Sequence, residues 1–281
     1  MLRMIISPTR SGSTALLRCF ENNPDVDRVY HQPVKSGFRQ DGTFDYGFFS
    51  LDAQEPNKIF VAKETVGGFQ QPEVDYSPLP AAGGQVSIAD RFPSPEDIVK
   101  VRPLFLFRDP FQVWNSINRL NVFSAGKSPY FSPFSFFIES LQNVFEFMQY
   151  ARRVTPHAYC VTLERLASDP KRFIRSICEK WEIPYTDQMV DWTLPYGQRT
   201  WYSDETRHRM AHDPRFMHSK ELLEKSRTFG YKPSELKGIT EAHIQEISEK
   251  LMPLYEQIVK ISERDFPTSF FGNIRRLFRS F

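Results

Sequence analysis

The chain has 281 residues, 40% of them apolar and 25% charged, and a net charge of +2. That length buries a sizeable core as one α/β domain, the two fractions are ordinary for a globular protein, and so small a charge excludes nucleic acid as the main partner. Its three cysteines, Cys19, Cys160 and Cys178, lie in apolar contexts without C-x-x-C spacing, which excludes a disulfide framework or zinc site and predicts small core residues in a reducing compartment.

The first strand is expected over 2–6, where Met4, Ile5 and Ile6 are apolar. It runs directly into Ser7-Pro8-Thr9-Arg10-Ser11-Gly12-Ser13-Thr14, and a helix over 14–22 follows. A strand, a small-residue loop and a helix N-terminus make an anion cradle, because the unbonded N–H groups of the first turn and the helix dipole both favour negative charge. Arg10 adds a full positive charge beside it. The loop lacks the second glycine and the Lys-Ser/Thr of a Walker A motif. Ser, Thr and Gly after a strand also make ordinary turns and N-caps.

A second strand near 26–31 ends in Tyr30-His31-Gln32-Pro33, and a third near 58–63 ends in Ala62-Lys63-Glu64-Thr65. Residues 67–97 carry four glycines and five prolines with a weak strand near 85–88, which suggests a long loop or lid. The continuous apolar run Pro103-Leu104-Phe105-Leu106-Phe107 reads as a strand buried on both faces. It ends in Arg108-Asp109-Pro110, and the helix after it carries Val113, Trp114, Ser116 and Ile117. Arg108 at the carboxyl end of a parallel strand and Ser116 two turns into the next helix are placed to hold one phosphate group. Taken alone, the Arg-Asp-Pro is equally a salt-bridged turn.

Residues 121–135, rich in Phe, Ser, Pro and Tyr, are expected to line or cover a pocket. Phe137, Leu141, Val144, Phe145, Met148 and Ala151 recur at helical spacing over 136–153 and form a core stripe. A strand over 157–163, a helix over 170–181 and a polar, mostly helical C-terminal third follow, with an amphipathic helix over 240–262 opened by Thr240. The tail from 270 to 281 mixes Arg275, Arg276 and Arg279 with Leu277, Phe278 and Phe281; it packs or frays, with a membrane surface or partner subunit as the other reading. The fold class is therefore α/β: a P-loop-like parallel sheet flanked by helices, with a mostly helical C-terminal third. It is read as one domain, a nucleotide-binding core over about 1–184 and a helical part with a lid over about 185–281. With no apolar run of about 18 residues and a loop starting at residue 7, a soluble protein without membrane insertion is expected.

Three segments, in order, resemble the sulfotransferase family that uses 3′-phosphoadenosine-5′-phosphosulfate (PAPS). Arg10-Ser11-Gly12-Ser13-Thr14 is similar to that family's Pro-(Lys/Arg)-Ser-Gly-(Thr/Ser)-Thr loop, with one extra Thr after Pro8. Arg108 and Ser116 match, in type and spacing, the family's strand-end Arg and the Ser eight residues on. Val161-Thr162-Leu163-Glu164-Arg165-Leu166-Ala167-Ser168-Asp169-Pro170 looks like its strand followed by Glu-x-Leu-x-x-Asp-Pro. The resemblance spans residues 5 to about 184. It implies that Arg10, Ser11, Gly12, Ser13 and Thr14 hold the 5′-phosphosulfate, and that Arg108 and Ser116 hold the 3′-phosphate. There are departures. Ala15 stands where the animal cytosolic branch has an aromatic residue for adenine, and the C-terminal Arg-Lys-Gly loop has no clear copy. The nearest basic candidates are Arg207, Lys220, Lys225 and Arg227, and Ser226-Arg227 is assigned to the cofactor; adenine recognition stays unassigned.

The resemblance implies sulfuryl transfer from PAPS, leaving 3′-phosphoadenosine-5′-phosphate (PAP), to a hydroxyl or amine of a small-molecule acceptor, as in a tailoring step of secondary metabolism. Arg10 is expected to clamp the leaving phosphate electrostatically. The base is a Glu or His at a strand end: His31 is preferred because imidazole titrates near neutrality, Glu64 is the alternative, and Lys63 is placed to touch the transferring group. His208, His212 and His218 with Asp204 and Asp213 lack a metal-binding spacing, and no metal is expected. A cytoplasmic monomer or homodimer is expected. Two other readings stay open: a P-loop-type kinase using ATP and Mg²⁺, with Asp109 as metal partner, and a non-catalytic protein that binds the adenosine bisphosphate.

Overall fold

The computed structural model describes residues 1–36, 46–65, 67–68, 85–86, 95–123, 125 and 133–267. The strands are β1 Leu2–Ser7, β2 Arg28–His31, β3 Phe60–Thr65, the two-residue β4 Gly67–Gly68 and β5 Gln85–Val86, β6 Leu104–Phe107, β7 Tyr159–Thr162 and β8 Thr200–Trp201. The helices up to the middle of the chain are α1 Ser13–Glu21, α2 Pro33–Ser36, α3 Leu51–Gln54, α4 Pro95–Val101, α5 Pro110–Phe123 and α6 Phe134–Val154. Then come α7 Leu163–Ser168, α8 Pro170–Trp181, α9 Asp204–His212, α10 Pro214–Lys225, α11 Glu241–Glu246 and, after a π turn at Ile247–Leu251, α12 Met252–Asp265.

Six strands make one parallel sheet in the order β7-β6-β1-β3-β2-β8, and β4 and β5 form a separate antiparallel pair. The α/β class expected from the continuous apolar runs is the observed one: every residue of β1 and β6 is buried. Alternate residues feed two cores. Ile5, Val29 and Val61 pack with Leu16, Leu17 and Phe20 of α1 and Ile174, Ile177 and Trp181 of α8. Met4, Ile6, Tyr30 and Ala62 pack on the opposite face with Val113, Trp114 and Ile117 of α5 and Leu141 and Val144 of α6.

From β1 the chain passes to β2 and then returns to β3 between them, on one side of β1, whereas β6 and β7 lie on β1's other side. The order therefore reverses between β1 and β6, and α1 and α5 leave those two strands toward opposite faces. The carboxyl ends of β1 and β6 thus flank a crevice at a topological switch point, where open α/β sheets bind ligands.

Several boundaries shift from the expected ones for local reasons. The third strand starts at Phe60 because Lys58 N–H bonds to Glu55 O and Ile59 N–H bonds to Asp27 Oδ2, closing a turn first. This draws Glu64 and Thr65 into the sheet. The strand expected over 157–163 ends at Thr162 because the Thr162 hydroxyl caps α7 at Arg165 N–H. Thr240 opens the last helical stretch as expected, in a reciprocal box with His243, and the stretch continues to Asp265 through the π turn. β8 was not foreseen, since two residues show no alternation. Most of the 67–97 excursion, much of 121–135 and the 270–281 tail lie outside the described residues.

The edge strand β7 is covered by α12: Cys160 N–H donates to Asp265 Oδ2 at 2.9 Å and Thr162 N–H to Ser262 Oγ at 3.3 Å. Arg152 of α6 closes a two-pronged pair with the same carboxylate at 2.6 and 3.2 Å. Cys19, Cys160 and Cys178 are buried free thiols. Among the described residues, no helix is long and apolar enough to cross a membrane.

Candidate active site

Buried Ser7 ends β1, and the chain then turns through two left-handed residues, Arg10 at φ 60° and Gly12 at φ 86°, before α1 begins at Ser13. Only glycine fits the second position comfortably. A Cβ on Gly12 would lie 3.0 Å from both Cδ atoms of Leu163, and the φ itself strains any L side chain. The turn aims successive loop N–H groups and the start of α1 at one concavity.

The second segment closes on the first. Arg108, just past β6, donates through Nη1 to the carbonyl of Arg10 at 3.1 Å. Arg10 donates through Nε to Ser116 Oγ at 3.0 Å and through Nη1 to Ser219 Oγ on α10 at 3.4 Å. Arg10 thus meets Arg108 and Ser116, about a hundred residues further along the chain, above the β1–β6 crevice. The hydroxyls of Ser7 and Ser11 and Nε of Arg108 are buried and have no hydrogen-bond partner among the described residues. Buried donors left unmatched are costly, and these three lie beside one helix N-terminus. Ser13 is buried and Thr14 half-buried in the first turn of α1.

The turn that carries Arg108 is held rigidly. Asp109 N–H donates to Glu164 Oε1 at 3.1 Å, and Glu164 Oε2 accepts from the Tyr255 hydroxyl at 2.7 Å. Burial, and then the Glu164 charge, push the Tyr255 phenol far above its ordinary pKa, so it stays a donor. Asp109 Oδ1 accepts from Gln112 N–H at 3.0 Å and caps α5. The carboxylate considered as a metal partner therefore has a structural role.

The strand-end groups divide by face. His31 is in register with Lys63, whereas Glu64 is in register with Ile6. By the pleat, His31 and Lys63 share the α1 face with Ser7, and Glu64 lies on the α5 face. His31 is 7% exposed and its ring lies 5.3 Å from that of Tyr202. Lys63 Nζ donates to Thr65 Oγ1 at 3.1 Å. Glu64 is fully buried, and its Oε2 accepts from Val34 N–H at 3.0 Å, anchoring the start of α2.

Helix α10 is fastened over the loop at two points one turn apart. Ser219 meets Arg10, and the carbonyl of Leu223 accepts from Arg18 Nη1. Arg18 is buried in α1, 4.3 Å above the Trp192 ring, with Nη2 on Leu194 O at 3.4 Å. Desolvation lowers its pKa, although an arginine stays charged even so. Ser226 and Arg227 directly follow this helix. Ser226 Oγ donates to Leu222 O at 2.8 Å, the Arg227 carbonyl accepts from Trp192 N–H at 2.7 Å, and the Arg227 side chain is exposed. Neither is among the described contacts of Arg10, Arg108 or Ser116. The His208 and His212 rings stack at 4.3 Å and His218 packs on Phe123 at 5.0 Å, and no three metal-ligating side chains gather among the described residues.

A cavity of about 300 Å³ lies at the sheet edge, lined by Arg28, Arg199, Trp201 and Arg207 among others, and does not border the loop. The loop itself is roofed by Arg10 with its two serine partners. Ser219 and Tyr255 were not singled out from the sequence, yet both belong to this arrangement, and Glu164, quoted there only within its Glu-x-Leu-x-x-Asp-Pro segment, joins them.

The fold and site define an α/β protein with a strand–loop–helix turn and two arginines at its switch point. No family model matches the chain, and no curated protein matches it. Among solved structures it is similar to the sulfotransferase domain from the curacin biosynthetic pathway, at 15% identity and a TM-score of 0.46 over 88% of this chain and 97% of that one. It is similar to the sulfotransferase domain of the Synechococcus PCC 7002 olefin synthase, at 16% identity and a TM-score of 0.47 over 88% and 93%. It is also similar to mouse sulfotransferase SULT7A1 complexed with PAP, at 10% identity and a TM-score of 0.49 over 92% and 88%.

Proposed function

We propose that this chain transfers a sulfuryl group from PAPS to a hydroxyl or amine of a small-molecule acceptor. The observation that carries the reading is the convergence of Arg10, Arg108 and Ser116 on the start of α1, beside the buried unmatched donors of Ser7, Ser11 and Arg108. Such a donor set, with a helix N-terminus and two guanidinium groups, fits a doubly anionic nucleotide. Ser11, Gly12, Ser13 and Thr14 would hold the 5′-phosphosulfate, and Arg108 and Ser116 the 3′-phosphate. When bound, PAPS supplies the sulfuryl group and a phosphate as the leaving group.

Each side chain then has a separate task. Arg10 already spans from Ser116 to Ser219, and as a permanent cation it stabilises charge on oxygens within that arc and moves no proton. His31, on the α1 face with Ser7, is our choice for the group that takes the acceptor's proton, and Lys63 beside it adds positive charge. Glu64 is the weaker base because one oxygen anchors α2 and it lies on the opposite face.

Calorimetric titration with PAP, in parallel with ATP and Mg²⁺, on the native chain and Arg108→Ala tests the reading. PAP binding that is lost in the variant, with no ATP binding, is expected. A native chain that ignores PAP sinks the proposal, and ATP binding in its place makes the chain a kinase.

A further inference from the structure

The segment after α10 lies along α5 as a strap. Gln112 donates to Ser234 O at 3.0 Å and accepts from Ser234 N–H at 2.9 Å. Asn115 donates to Glu235 O at 3.0 Å and accepts from Lys237 N–H at 3.2 Å, and Asn118 donates to Gly238 O at 3.0 Å. These three amides recur every third residue on one face of α5, which is also the helix that Arg108-Asp109 opens. The strap is thereby fixed to the anion-site helix itself, with its first residue, Tyr231, at the Arg108 end.

There the Arg108 guanidinium carbon lies 4.6 Å from the centroid of the Tyr231 ring. Nη1 of Arg108 is committed to the Arg10 carbonyl, whereas its Nε is buried and unmatched. The phenol oxygen of Tyr231 is likewise buried and interacts with the Arg108 guanidinium, so it is the hydroxyl proton that finds no acceptor among the described residues. A buried Arg108 Nε–H and a buried Tyr231 O–H without acceptors are each costly unless an oxygen from outside the chain meets them. An oxygen supplied by a ligand would satisfy both.

Resting on the sulfuryl-transfer reading above, we infer that Tyr231 is a nucleotide-binding residue: its ring holds the Arg108 guanidinium in plane and its hydroxyl donates to the same 3′-phosphate. The strap, fastened by Gln112, Asn115 and Asn118, delivers that tyrosine. The 3′-phosphate subsite would therefore be completed by the C-terminal part of the chain.

The test compares calorimetric binding of PAP and of adenosine 5′-phosphate, which lacks the 3′-phosphate, to the full chain and to Tyr231→Phe and Tyr231→Leu. Phe keeps the stacked ring and removes only the hydroxyl. A hydrogen bond to a charged group corresponds to about 10- to 100-fold in affinity, so Tyr231→Phe should weaken PAP by about tenfold or more and leave adenosine 5′-phosphate unchanged. Tyr231→Leu should weaken PAP at least as much. A native-like ratio of the two affinities in Tyr231→Phe overturns the inference. So does an equal loss for both ligands, since that is what a merely structural tyrosine would give. A native chain that fails to bind PAP at all overturns instead the reading on which this one rests.

Discussion

Gly12 concentrates two demands in one residue, a left-handed φ of 86° and a close approach to Leu163. Gly12→Ala should cost about 1–2 kcal/mol in urea unfolding, from backbone strain. Leu163→Ala relieves the 3.0 Å contact but not the φ, so Gly12→Ala should cost as much in that background as in the native chain, and no cost there would show that crowding, not strain, was the cause. His31 makes a different demand, for a proton acceptor on the α1 face. His31→Gln should lower kcat by about 10²- to 10⁴-fold, remove one limb of the pH–rate profile and leave PAP affinity intact. If Glu64→Gln does this and His31→Gln does not, the base is Glu64. Arg10, Gly12 and Arg108 were legible because each sits where a strand hands over to a helix, a junction that apolar runs and turn residues mark in the sequence itself, and Ser116 by its spacing of eight from Arg108. Ser219 and Tyr231 were not, because they come from polar stretches without periodicity and are brought to the loop only by α10 and by the strap.

Among the elements, β1 and β6 declared themselves as apolar runs, since a strand buried on both faces has no polar side to interrupt it. What covers the sheet's edge was not legible. β7 is an edge strand, and its outward N–H groups at Cys160 and Thr162 are met by side chains of α12 rather than by another strand. A single carboxylate, Asp265, serves both Cys160 N–H and the Arg152 fork. Nothing in the sequence pairs residue 152 with residue 265, since the contact exists only after α6 and α12 have docked. Breaking a largely buried pair leaves an uncompensated charge, so Asp265→Ala should destabilise by about 3–5 kcal/mol. Denaturant unfolding measures this. A loss below about 1 kcal/mol would mean that the pair is screened like a surface one and that α12 is held mainly by its apolar face.

At the scale of the molecule, the sheet order sets the site and burial sets the response to alkali. The reversal between β1 and β6 is a property of the whole topology, and it gathers the two arginines that local patterns could only nominate. The two packed faces also enclose all three thiols: burial pushes Cys178 up to about 12 and raises Cys19 and Cys160 as well, from an ordinary value of 9.0. The sign follows directly. Above pH 9 the unfolded chain sheds thiol protons that the folded chain keeps, so the folded state binds more protons and stability falls as pH rises. Below pH 9 both states are protonated and the thiols contribute no slope. Each thiol adds about 1.4 kcal/mol of loss per pH unit above 9 until its folded pKa is reached. Urea unfolding at a series of pH values should therefore be nearly flat from 7 to 8.5 and fall by several kcal/mol at pH 10, where the buried tyrosines Tyr202 and Tyr255, also raised, begin to add to it. Cys178→Ala should flatten the fall by about the share of one thiol. If that variant keeps the native slope, Cys178 titrates in the folded chain as it does in the unfolded one. The interior around α8 would then admit water, and Cys178 should react with a thiol reagent at pH 8 without unfolding.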